Sequence, residues 1–257
     1  MVEAFYNFHG LNQEIFLFLN RITNIGILPY FLQIISFCFN ITNFAVIYIL
    51  YCIYFYIQLK KIKNLNELHK IYSNDLDNWN VKREVSARSL DKLGEYANSL
   101  KFYGADSSKQ KSMFWDKYNK LIEIGIVYTI FGLTFTALKF LSNFPRPFCS
   151  LALDNFVTIT NVQLERCLSS FPSSHAGLAV LVTYFAWSYI NLPLKIIMVF
   201  VVMLVSLARI SLAMHYPADI IYGIIITAIV IVIGKQIYKI FAGNIVRSLG
   251  EFIETSI

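Results

Sequence analysis

The chain has 257 residues, of which 56% are hydrophobic and only 15% charged, where globular proteins carry roughly 25% charged residues. Residues 60–120 hold 13 Lys or Arg and 8 Asp or Glu, a net of +5 in a chain of +6, so the rest is nearly neutral and mostly apolar. This excludes an ordinary water-soluble domain, gives no sign of a nucleic-acid partner, and describes a multi-pass membrane protein with one basic aqueous segment.

The first twenty residues lack the basic start, continuous apolar run and small-residue cleavage site of a signal peptide. Across 11–22, Leu11, Ile15, Phe16, Leu19 and Ile22 recur at helical spacing, which predicts an amphipathic surface helix. Residues 27–59 are free of charge for 33 positions, too long for one upright span of about 20. Asn40, Thr42 and Asn43 interrupt them. Residues 43–59 read as a span, and 28–40 as either a short second span or an interfacial helix.

Within the basic segment 60–120, Leu65, Leu68, Ile71, Tyr72, Leu76 and Trp79 are spaced as in a helix or helical hairpin. Its cations either touch anionic lipid or form a solvated linker. Further apolar runs follow at 121–141, 175–190 (extended by Phe171-Pro172), 194–214 and 218–234, with a polar loop at 142–171. The expected organisation is 1–59 with the amphipathic helix and first span or spans, 60–120 as the helical basic insertion, 121–241 as a membrane core, and 242–257 as a tail. The fold class is an all-α integral membrane protein, a bundle of about five to six transmembrane helices.

Orientation follows from Lys and Arg. The basic 60–120 segment, the turn before Lys195, and Lys235, Lys239 and Arg247 all fall on one side, which is then cytoplasmic. Loop 142–171 and the turn near 215–217 fall outside. Cys38 and Cys52 read as packing residues. Cys149 and Cys167 flank the external loop, either bridged, for which an oxidising compartment is required, or as two free thiols.

Polar residues gather at helix ends on that external side. Helices over 172–190 and 194–213, of 19 or 20 residues each, span about 30 Å and are joined by a tight turn. His215 therefore returns to the face where His175 begins. Asp219 follows Pro217 in the next first turn, Lys139 ends the helix 121–141, and Arg146 lies just beyond it. Lys139, Arg146 and Arg209 supply three positive charges, two of them with the forked donors that suit phosphate oxygens. Ser173 and Ser174 open a helix, where free N–H groups favour an anion. Two histidines add nucleophilic and acid–base capacity. Taken singly, each residue has an ordinary reading: Lys139 as a snorkelling lysine, Arg146-Pro147 as an interface anchor, His215 as an interfacial histidine, Pro172-Ser173-Ser174 as a helix start, Asp219 as a first-turn charge. The set together reads as a site for a phosphoryl group.

Lys139-x6-Arg146-Pro147, Pro172-Ser173-Ser174-His175 and Arg209-x5-His215-x3-Asp219 resemble, in order and spacing, the three-part signature of the type 2 phosphatidic acid phosphatase (PAP2) superfamily, over about 121–235. The resemblance implies a membrane lipid phosphatase of bacterial type. His215 would be the nucleophile forming a phosphohistidine, Asp219 would orient it, and His175 would protonate the leaving alkoxide and then activate water. Lys139, Arg146, Ser173, Ser174 and Arg209 would hold the phosphate oxygens, with no cofactor and no metal. Two positions depart from the pattern: Ala208 stands where Ser is common, removing one hydroxyl contact, and Ser174 stands where Gly is common. The expected partners are a lipid phosphate substrate (phosphatidylglycerol phosphate, phosphatidate, a polyprenyl diphosphate or a lipid A phosphate) and membrane lipids, with the site at the outer face of a cytoplasmic membrane. The competing functions are a lipid phosphotransferase using the same histidine, and a non-enzymatic lipid-binding or lipid-moving protein. A soluble haloperoxidase with a similar pocket is at odds with the membrane spans.

Overall fold

The computed structural model describes residues 6–79, 107–159, 161 and 166–256, with side chains left aside over 61–79, 107–113 and 254–256. The described part is helical: α1 Leu11–Thr23, α2 Leu28–Cys38, α3 Ile41–Trp79, α4 Ser107–Ser142, α5 Ser174–Ala186, α6 Leu192–Ser211, α7 Pro217–Phe241 and α8 Arg247–Ser256. Four stretches are long and apolar enough to cross a bilayer: 41–60, Phe114–Ser142, Leu192–Ser211 and 217–253. The α1–α2 pair, bent by 111°, makes a fifth if counted as one broken span. The central part of the expected insertion, 80–106, lies outside the described residues; α3 and α4 run into it from either side.

Local chemistry sets the helix ends. Asn191 caps α6, its Oδ1 accepting from Leu194 N at 3.2 Å, with Pro in the first turn, where its missing N–H costs nothing. At its far end, α6 closes in a Schellman turn, Met214 N to Arg209 O and Ala213 N to Ile210 O, both 3.0 Å, with Ala213 left-handed at φ 54°. That turn brings the chain back beside Arg209, and His215 N also points to Arg209 O at 3.3 Å. Asn143, at φ 49°, ends α4; Asn tolerates this backbone region better than most residues.

The chain divides into two compact units. The first comprises residues 1–47 and 123–239. There α6 packs against α1, α2 and α5. One apolar cluster joins Phe16 of α1 to Phe148, Phe156, Met214 and Tyr216. A second joins Val127, Phe131 and Phe135 of α4 to Leu178, Leu181 and Phe185 of α5 and Val230 and Ile231 of α7. Ile196, Phe200, Met203, Ile225, Ile229 and Val232 face outward, as suits helices whose solvent is lipid tails. The second unit comprises 48–122 and 240–257. In it Tyr48 Oη donates to Leu121 O at 3.0 Å, Tyr118 Oη to Val246 O at 2.9 Å, and Trp115 and Tyr118 close over Gly250 of α8.

Two elements differ from the sequence expectation. The helix expected over 172–190 stops at Ala186, leaving 13 residues, about 20 Å at 1.5 Å per residue and short of a bilayer core. The expected amphipathic helix forms as α1, but it buries Asn12, Phe16, Asn20 and Thr23 and exposes Leu11, Ile15, Phe18 and Ile22. Asn20 Nδ2 donates to Val157 O at 2.9 Å, Ile210 O at 3.1 Å and Ser211 O at 3.2 Å, while Asn20 Oδ1 accepts from Val157 N at 2.8 Å. Next to lipid, polar side chains bond to the protein interior and apolar ones face out. Cys149 and Cys167 are bridged, with Cα atoms 5.6 Å apart; Cys38 and Cys52 are free.

Candidate active site

The start of α5, the turn between α6 and α7, and the end of α4 meet in the first unit. Ser173 N donates to Asp219 O at 3.0 Å. This close approach of α5 to α7 requires Gly223, where a Cβ would stand 2.7 Å from Ser173 O. Asp219, in the first turn of α7, accepts from Tyr216 N at 2.8 Å while its own N–H donates to Tyr216 O at 3.0 Å. The first of these is the half of a capping box that a third-position side chain supplies, and it fixes the carboxylate toward the turn that carries His215.

All eight residues singled out from the sequence fall in this region. His215 is fully buried, with Nδ1 3.5 Å from Asp219 Oδ2. Lys139 Nζ donates to Ser174 Oγ at 3.2 Å. Arg146, buried, has Nη1 2.9 Å from the Met214 sulfur and its backbone N bonded to Cys167 O at 2.9 Å. Arg209, also buried, donates from Nη1 to Ser36 Oγ at 2.9 Å. His175 is half-buried, within electrostatic reach of Arg209, His215, Lys139 and Arg146. Ser173 Oγ is buried with no hydrogen-bond partner among the described residues, at the N-cap of α5, a position that favours an anion. Burial, followed by the charges of Arg209, Lys139 and Arg146, holds the His215 imidazole well below the usual histidine range, with the Ser170 backbone acting weakly the other way. The ring is therefore neutral at pH 7.

Several contributors are invisible to motif reading. Asp219 Oδ1 accepts from Tyr6 Oη at 2.7 Å and Oδ2 from Ser170 Oγ at 2.5 Å. Tyr6 stacks on Phe144 with centroids 4.5 Å apart. Burial, then the neighbouring Asp219, raises its phenol far above the ordinary tyrosine range, so it stays protonated and donates. Asn12 Oδ1 accepts from Ala218 N at 2.9 Å. Ala208 is fully buried, and it is Ser36 of α2, rather than residue 208, that supplies a hydroxyl to Arg209. The available signal was the pair of polar residues Asn12 and Asn20 in an N-terminal helix of a membrane protein.

Three cations, a helix start, a paired histidine and carboxylate, and a second histidine at one place form a constellation for handling an anionic ester. Residues 120–241 match the model of the PAP2 superfamily. Over that segment, a little under half of its length, the chain is similar to the PAP2 superfamily. The match indicates a phosphatase, a phosphoric ester hydrolase. The chain is also similar to a crystal structure of LpxE from Aquifex aeolicus, at 19% identity over 56% of this chain and 86% of that one, with a TM-score of 0.40. No curated protein matches the sequence.

Proposed function

We propose that the protein hydrolyses a lipid phosphate or diphosphate at the external face of a cytoplasmic membrane through a phosphohistidine on His215. The observation that carries this reading is the buried pair of His215 and Asp219, 3.5 Å apart, beside three cations and the start of α5. Asp219 faces Nδ1 and, as a hydrogen-bond acceptor for an Nδ1–H, favours the tautomer that leaves the Nε2 lone pair for attack. As the Nε2–P bond forms, the P–O bond to the lipid breaks, and its electron pair leaves on the lipid oxygen, which takes a proton from His175. Water then attacks the phosphohistidine, giving a proton to His175, and the N–P bond breaks to release phosphate and restore both histidines. Lys139, Arg146, Arg209, Ser173 Oγ and the N–H groups at Ser174 are fixed donors for the charge developing on the phosphoryl oxygens. External sidedness rests on the basic 60–120 segment and on Lys235, Lys239 and Arg247, which favour the cytoplasm.

The test is phosphate release from a panel of lipid phosphates by detergent-purified protein. Release is expected to persist in EDTA, to be inhibited by vanadate, and to fall to background in His215→Ala. Full activity in that variant would overturn the mechanism, and phosphate appearing on a second lipid instead of in solution would favour a phosphotransferase.

A further inference from the structure

Arg209 lies in the last turn of α6, and its guanidinium is held from outside the segment that matches the PAP2 model. Nη1 donates at 2.9 Å to Ser36 Oγ of α2, whereas the match begins at residue 120. Ser36 is 3% exposed. It shares the buried face of α2 with Pro29 and Leu32, three and four residues apart, as one face of a helix requires. Tyr30, Phe31, Ile34 and Phe37 point outward. Ser36 is thus the polar member of a stripe that packs inward on α6.

A hydroxyl within an apolar helix commonly bonds back to the carbonyl four residues earlier. Thr183 Oγ1 does so to Ala179 O at 2.8 Å, Ser206 Oγ to Val202 O at 2.8 Å and Thr227 Oγ1 to Gly223 O at 2.7 Å. Ser36 Oγ instead faces across to Arg209. The helix that carries it is tied down at both ends. Asn20 Nδ2 and Asn24 Nδ2 donate to Ser211 O at 3.2 and 2.9 Å, which joins the chain entering α2 to α6 two residues beyond Arg209. Past the other end, Asn43 Nδ2 donates to Phe37 O at 2.7 Å. The acceptor is also neutral. A carboxylate in its place would pair with the guanidinium and compete with a substrate phosphate for it. A hydroxyl oxygen orients the fork without cancelling its charge.

We propose that Ser36 is a positioning residue for the phosphoryl clamp, acting through Arg209 by holding its guanidinium in the orientation that receives a phosphoryl oxygen. The proposal rests on the phosphatase reading above, in which Arg209 is a phosphate ligand. It makes the bent α1–α2 pair part of the active centre, so that the segment 120–241 does not by itself contain every residue the reaction needs.

The experiment reads orthovanadate binding by calorimetry on detergent-purified protein, beside phosphate release from a lipid phosphomonoester. Ser36→Ala removes a hydrogen bond to a charged group, and is expected to weaken vanadate binding and lower kcat/KM by about tenfold or more. Ser36→Thr and Ser36→Val have the same shape and differ in the hydroxyl. Thr should recover most of both values and Val should not; equal losses in the two would mean that Ser36 only fills space, and would overturn the proposal. In an Arg209→Met background, Ser36→Ala should change vanadate affinity by less than about twofold, because the group it acts through is gone. A loss there as large as in native protein overturns the proposal, and so does a native-like Ser36→Ala. Where Arg209→Met binds no vanadate, the Thr and Val pair decides. Native protein that binds vanadate but releases no phosphate from any lipid sinks the phosphatase reading, while the binding comparisons still decide the role of Ser36. Native protein that binds no vanadate overturns both.

Discussion

At the scale of single residues, Asp219 has more to satisfy than its pairing with His215. It accepts from Tyr6, Ser170 and Tyr216 N, which leaves its carboxylate little freedom to turn away from the imidazole. Tyr6→Phe keeps the ring stacked on Phe144 and removes one donor to a charged acceptor, a loss of about 1–2 kcal/mol. We expect kcat to fall about 5- to 30-fold with KM little changed, read from steady-state kinetics in mixed micelles. His215 gives a pH prediction. Its folded-state affinity for a proton is depressed by burial and by Arg209, Lys139 and Arg146, with His175, Asp219, Tyr6 and Tyr216 the other titratable groups around it. In the unfolded chain a histidine titrates near 6.5. Acidification through that value therefore protonates the unfolded state first and lowers stability. Melting temperatures from about pH 7.5 to 5 should fall more for native protein than for His215→Gln. An equal fall would show that the imidazole is not held neutral.

At the scale of elements, the site depends on how closely α5 approaches α7. A methyl on Gly223 would press on the backbone of Ser173, which cannot swing aside as a flexible side chain can. Overpacking of that kind costs about 1–3 kcal/mol, and here the displaced atoms belong to the helix start proposed to hold the phosphoryl group. Gly223→Ala should lower both Tm and kcat. Gly132→Ala on α4, where nothing lies within 4 Å of the new methyl, should leave kcat unchanged and Tm equal or slightly raised, since Ala is the better helix former. The same scale explains α1. Its asparagines satisfy backbone groups at the ends of α6 and α7, so it acts as a brace for the turn that carries His215.

At the scale of the whole molecule, a membrane bundle leaves the loop between α4 and α5 without a bilayer to confine it. The Cys149–Cys167 bridge, 18 residues apart in sequence, confines that loop where it passes Arg146 and delivers Ser170 to Asp219. A loop of this size contributes about 3 kcal/mol on the chain-entropy model. Cys149→Ser/Cys167→Ser is expected to melt at lower temperature and lose activity, and native protein should lose activity in reductant. Mass spectrometry without reduction checks the bridge directly; alkylation of both thiols in untreated protein would refute it.

The sequence by itself determined the helical membrane class and picked out the eight residues that the fold brings together. Those features are local: apolar runs of bilayer length, charge asymmetry, and fixed spacings at helix ends, where a few residues of separation already dictate which face a side chain occupies. Only tertiary structure decided what supports them. Tyr6 meets Asp219 across 213 positions and Ser36 meets Arg209 across 173, contacts that depend on how α1 and α2 pack on α6 and leave no periodic trace. The same packing decided which side of α1 faces inward. Its periodicity reveals two faces, but with lipid as the solvent the polar face is the buried one, bonded to the backbone that holds His215 in place.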